Sequence, residues 1–108
     1  MTSPTKSSAE ILGASSDENR VYITGIVESA PESSRTSAGR PCATLLLRVT
    51  SASRSQFVVR INAYEAAAEW LLKQGVGDRI RVKAELVSRT RQDGLVVLEL
   101  KAWYITKV

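Results

Sequence analysis

Arg79, Arg81 and Lys83 stand at alternate positions in the segment that runs from Asp78 to Leu86. In an extended chain, alternate residues share a face and lie roughly 7 Å apart. Three cations at that spacing can follow the phosphates of a polyanion, neutralising charge without reading sequence. An ordinary solvated strand face also carries charges. Three cations in succession, with an acidic residue only at Glu85, favour binding. Arg48, Arg60, Arg89 and Arg91 would lengthen the track. A single-strand track also needs flat rings on which bases stack. Tyr22 alternates with Val21 and Ile23, which turns it outward. Phe57 shares parity with Val59 and Ile61, so core packing and stacking both suit it. Trp103 and Tyr104 are neighbours on one strand and are expected on opposite faces. Lys101 and Glu99 share the parity of Trp103, which puts Trp103 at the surface and Tyr104 in the core.

Other chemistry is sparse. The chain has no histidine, so it lacks the commonest general base and the commonest neutral metal ligand. Its one cysteine, Cys42, excludes an intrachain disulfide and any multi-thiolate metal site. Asp78, Asp93 and the scattered glutamates form no pair suited to acid–base work or a metal cage. Gly75-Val76-Gly77 follows a helical pattern and precedes a strand, the reverse of a phosphate-binding loop. No catalytic residue, metal or cofactor is expected, and the chain reads as a binding protein. Fifteen Lys and Arg against eleven Asp and Glu give a net charge of +4, a balance that suits an anionic partner.

The elements that must position these residues can be read from periodicity. The 108 residues suffice for one domain. Residues 1–18, rich in Ser and Thr, read as a flexible tail, and residues 19–108 as the folded domain. The tail lacks the apolar core of a secretory signal and nothing spans a membrane, so a cytoplasmic location is expected. Val21 to Val27 is a first strand, with a bulge or sharp bend at Gly25. Ser29 to Pro41 is an irregular connector. Ala43 to Thr50 is a second strand, with Ala43, Leu45, Leu47 and Val49 on one face. Phe57 to Ile61 is a third. Asn62 then caps a helix that runs to Gln74, its apolar stripe formed by Tyr64, Ala67, Ala68, Leu71 and Leu72. Arg79 to Leu86 is a fourth strand, Gln92-Asp93-Gly94 a hairpin turn, and Leu95 to Thr106 the last strand. Three strands, a helix and two strands are the order of an all-β OB-fold, a five-stranded Greek-key barrel with a helix between strands three and four. An SH3-like barrel is the alternative, but it leaves no place for a helix of about three turns.

Certain segments resemble a family. Asn19-Arg20-Val21-Tyr22-Ile23-Thr24-Gly25-Ile26-Val27, followed by Pro31-Glu32, is similar to the opening of bacterial single-stranded DNA-binding proteins. Ser37-Ala38-Gly39 before an alternating strand, and Leu72-Lys73-Gln74-Gly75 at the helix end, continue the likeness. Val76 to Val82 and Gln92-Asp93-Gly94-Leu95 resemble the PriB-type primosomal replication protein, a short relative of the same fold. The likeness covers residues 19–106. It departs from the larger family in two respects: that family stacks bases on tryptophans of its second and third strands, where this chain offers only Phe57, and the family's long extension with an acidic tip is not expected after Lys107-Val108.

The resemblance implies a non-enzymatic protein that binds single-stranded DNA in replication, recombination or repair, as a compact PriB-like accessory. Replication or repair proteins would be its partners. It also implies pairing through the first strand into a homodimer or tetramer. Val97, Trp103 and Ile105 are expected to form an apolar outer patch that such pairing would cover. An OB-fold protein-interaction module and a single-stranded RNA binder remain as alternatives, because no residue pattern here reads the 2′-hydroxyl.

Overall fold

The structure is a computed structural model that describes residues 17–108. The expected tail therefore lies outside the described residues except for Asp17 and Glu18. Among the described residues the elements are β1 (Val21–Val27), β2 (Glu32–Arg35), β3 (Pro41–Thr50), β4 (Gln56–Tyr64), α1 (Glu65–Leu72), β5 (Arg79–Thr90) and β6 (Val96–Lys107). β1 pairs antiparallel with β5 along Val21 to Ile26, then with β3 at Ile26 and Val27. β3 pairs antiparallel with β4, β4 parallel with β6, and β6 antiparallel with β5. The circuit β1–β3–β4–β6–β5 closes on itself. It is the expected five-stranded OB-fold barrel, with α1 between its third and fourth barrel strands.

Alternation explains the core. Ala43, Leu45, Leu47 and Val49 of β3 all point inward, and Ile80, Val82 and Ala84 of β5 meet them. Burying one such leucine or isoleucine contributes about 1.5–3 kcal/mol. Ala43, Ala63, Ala102 and Ala84 lie opposite one another across β3, β4, β6 and β5, a row of small side chains in the barrel wall. α1 packs against three of those strands, β3, β4 and β6, and inserts the fully buried Leu71. Just past Gly25 the first strand gains β3 on its other edge while it stays paired with β5. A Cβ on Gly25 would lie 2.5 Å from the Arg48 carbonyl oxygen, so only glycine lets the two backbones approach. Pairing of β1 with β5 is regular through this point, and no bulge accompanies it.

Several local expectations are corrected. The connector contains β2, paired with residues 41–44 of β3 through a turn at Thr36–Arg40 in which Gly39 takes φ 83°. Its residues Glu-Ser-Ser-Arg are all exposed, so there was no apolar alternation to read. The helix starts at Glu65, because β4 continues through Tyr64 in register with β3. Asn62 is a buried strand residue and not a cap, and Tyr64 is the last, half-buried residue of β4. The hairpin turn is as expected: Gly94 takes φ 90°, and the Leu95 amide donates to Asp93 Oδ1 at 3.0 Å.

The parity of β6 also changes. Lys83 lies opposite Tyr104 and Ala84 opposite Ala102, which leaves Trp103 as an extra residue, a β-bulge. Ala102 and Ile105 are both buried, while Trp103 and Tyr104 between them are both exposed. Tyr104 is thus not core, and Ile105 is not on the outer face. The expected apolar patch of Val97, Trp103 and Ile105 does not exist: Val97 is half-buried, and only Trp103 is well exposed.

Candidate nucleic-acid interface

The cation row and the rings meet on the outer face of β1, β5 and β6. Tyr22 on β1 and Tyr104 on β6 lie directly opposite Lys83 on β5, so the three form one cross-strand rank. The next rank is Thr24, Arg81 and Thr106, with Arg81 Nε donating to Thr24 Oγ1 at 3.4 Å. Arg79 lies opposite Ile26 in the third. Lys83 Nζ sits 5.1 Å from the Tyr104 ring centre and 5.9 Å from those of Tyr22 and Trp103. The rings hold the ammonium by cation–π attraction, worth about 0.5–1 kcal/mol each at an exposed site. Trp103 and Tyr104 are tilted neighbours, 6.5 Å apart. Among the described residues, Arg79, Arg81 and Lys83 have no carboxylate within 4 Å.

The other four candidate cations lie elsewhere, and each has an acidic partner. Arg48 Nε donates to Glu28 at 2.8 Å, and Arg91 pairs with Asp93 at 3.2 Å. Arg60 and Arg89 share Glu99, at 3.4 and 2.7 Å. Arg60, Arg89 and Arg91 line a cavity of about 420 Å³ together with Leu46, Val58 and Leu98, between the outer side of β3–β4 and the β5–β6 hairpin. Phe57 belongs to neither group. It faces inward opposite Val49 but lies beyond the packed interior, about half exposed.

Sequence reasoning missed Glu99. Its side chain is 5% exposed and accepts from Asn62 Nδ2 at 2.6 Å and from Arg89 Nε and Nη2 at 3.1 and 2.7 Å. The Arg89 hydrogen bonds hold its carboxyl below the usual range; burial pushes the other way and is outweighed, with Asn62 adding to the lowering. The same pair raises the Arg89 guanidinium. The available signal was the single charge inside Val96-Val97-Leu98-Glu99-Leu100, since a carboxylate in an apolar strand needs a partner. Tyr104 was missed because one inserted residue reverses strand parity, and nothing in the local residues marks the insertion.

Comparison with protein-family models finds no match, and no curated protein matches. Among solved structures, the chain is similar to the single-stranded DNA binding protein from Thermus aquaticus. For the wild type the TM-score is 0.71 at 21% identity, over 84% of this chain and 40% of that one. For a deletion mutant it is 0.72 at 22%, over 84% and 41%. The chain thus spans about two fifths of the length of those proteins. It is also similar to the N-terminal domain of PriB from Thermoanaerobacter tencongensis, described as dimeric, with a TM-score of 0.70 at 24% identity over 83% of this chain and 96% of that one. At these identities the likeness is one of fold, and the fold of residues 17–108 is the OB-fold barrel that these proteins share.

Proposed function

We propose that this chain is a non-enzymatic single-stranded DNA-binding protein of replication, recombination or repair, acting in the cytoplasm as a PriB-like accessory. The observation that carries the proposal is the face on which Arg79, Arg81 and Lys83, free of carboxylates among the described residues, stand beside Tyr22, Trp103 and Tyr104. Cations that track phosphates and rings that stack bases are the two requirements of a sequence-tolerant single-strand site. The solved structures with this fold include proteins described as single-stranded DNA binding, which supports the same reading. Arg48, Arg60, Arg89 and Arg91 form a secondary track whose charge is partly cancelled within the protein.

The test is a fluorescence titration with an oligo-dT of about 30 nucleotides, roughly twice the largest footprint of one barrel. Affinity should fall steeply as salt rises. Changing Arg79, Arg81 and Lys83 together to alanine should make the slope of log K against log salt shallower by about 2 per chain, at about 0.7 per phosphate contact. Oligomers of different base composition should lose affinity equally. A folded triple variant with an unchanged slope would move the phosphates to the Arg60–Arg89–Arg91 groove. Tighter binding of oligo-U than of oligo-dT would make RNA the ligand.

A further inference from the structure

Beside the cation row lies a slot between α1 and β6. Ala66 and Ala67 form its floor, Trp70 one wall, Trp103 and Tyr104 the other, and Thr106 one end, around a cavity of about 320 Å³. Helix geometry makes the step: Ala66 and Ala67 precede Trp70 by four and three residues and so lie on its side, one turn back. The bulge does the same on β6 by turning the Trp103 ring out of the sheet. Both indoles are left more than half exposed, at 54% and 56%. Two open tryptophans about one slot are unusual for a surface with no ligand.

The charges at the slot's rims say what fits. Lys73 Nζ lies 5.2 Å from the Trp70 ring centre, and Lys83 Nζ flanks Trp103 and Tyr104 from the other side. The slot is therefore apolar inside and cationic at both edges. Its complement is a flat ring joined on either side to anions, which describes a nucleobase within its strand. We infer that the slot receives one unstacked nucleobase of the bound strand, with Trp70 and Trp103 as its stacking partners. Besides the two indole N–H groups, the polar side-chain groups lining the slot are Thr106 and the Tyr104 hydroxyl, and stacking between ring faces suits purines and pyrimidines alike. The slot lies next to the Tyr22–Lys83–Tyr104 rank, so a strand crossing that rank needs only to turn one base inward. The inference rests on the single-strand reading proposed above and extends it to the helix, whose Trp70 otherwise has no role.

The chain has two tryptophans, so W70F and W103F each leave one reporter. Each variant is titrated with oligo-dT and with an abasic deoxyribose-phosphate oligomer of equal length. Oligo-dT should quench Trp70 in the W103F protein and Trp103 in the W70F protein, whereas the abasic oligomer should bind without quenching either. W70A should weaken oligo-dT binding about 5- to 150-fold, the loss of one stacked base, and leave the abasic affinity and the salt slope unchanged. If oligo-dT binds with its steep salt slope while Trp70 emission and W70A affinity stay at their reference values, the slot inference is wrong and the single-strand reading stands. Quenching of Trp70 by an acidic phenylalanine-containing peptide, but not by oligo-dT, would make the slot a peptide site and overturn the inference. Failure of both oligomers to bind at low salt would remove the functional reading and this inference with it.

Discussion

Glu99 shows what one side chain sets in this molecule. It is buried, it accepts from Asn62 Nδ2 and from Arg89, and it draws Arg60 to the oxygen that Arg89 holds. Three groove cations, Arg60, Arg89 and Arg91, against Glu99 and Asp93 leave a net charge of +1 there, less than the row on β5, unpaired among the described residues, offers a polyanion. Because the folded-state carboxyl lies below its ordinary value, the pair stabilises the fold fully above the ordinary carboxylate range. That contribution is lost as pH falls through the lowered value. Glu99→Gln should therefore cost about 1.5–3 kcal/mol at neutral pH, as for a hydrogen bond to a charged group. It should also flatten the dependence of stability on pH in the acid range, a result that urea unfolding at neutral pH and at about pH 3 would read directly. The arginines are half exposed, so the neutral-pH loss should fall toward the lower end. An unchanged acid profile would mean that Glu99 titrates normally in the folded protein.

Elements were legible in the sequence where a face was buried and illegible where it was not. The second and fourth expected strands, here β3 and β5, show the clearest alternation, and the inward residues of β3 and of β5 as far as Ala84 are core. The outward cations of β5 were found by the same alternation. The exposed β2 has no such signal and exists through its ladder with β3 alone. Asn62 looked like a helix cap because side-chain chemistry at a cap and at a buried strand position is identical; pairing of β4 with both β3 and β6 decided between them. The candidate interface was half legible. Tyr22, Trp103 and the three cations of β5 could be named from parity. Tyr104 could not be, and Trp70 had no visible connection to them until α1 was laid against β6.

At the scale of the whole barrel, one boundary is open. Among the described residues, the edge of β1 that faces away from β5 pairs with β3 only at Ile26 and Val27, so Val21 to Gly25 present unpaired backbone groups. Such an edge invites another strand. Antiparallel addition of β1 from a second copy would continue the β1–β5–β6 sheet across the joint. Two cation rows would then share one continuous surface, and a strand long enough to cross it would touch both. Sedimentation at micromolar concentration should accordingly give a species of twice 11.8 kDa, with twice that again if dimers pair. A single 11.8 kDa species would show that the edge is protected in another way.

The bulge in β6 makes one residue countable in a way its neighbours are not. Without Trp103, Tyr104 would follow Ala102 directly, and both would keep their partners Lys83 and Ala84 in an uninterrupted ladder. The strand therefore carries one residue more than its hydrogen bonding requires, and that residue brings the exposed indole. Deleting Trp103 outright should yield a folded barrel within about 1 kcal/mol of the parent by thermal unfolding. Deleting Ala102 instead would drive the indole inward against Ala84, where no space for it exists, and should abolish folding. Insertion and removal at this single site would let the scaffold gain or lose a stacking ring without altering any other residue.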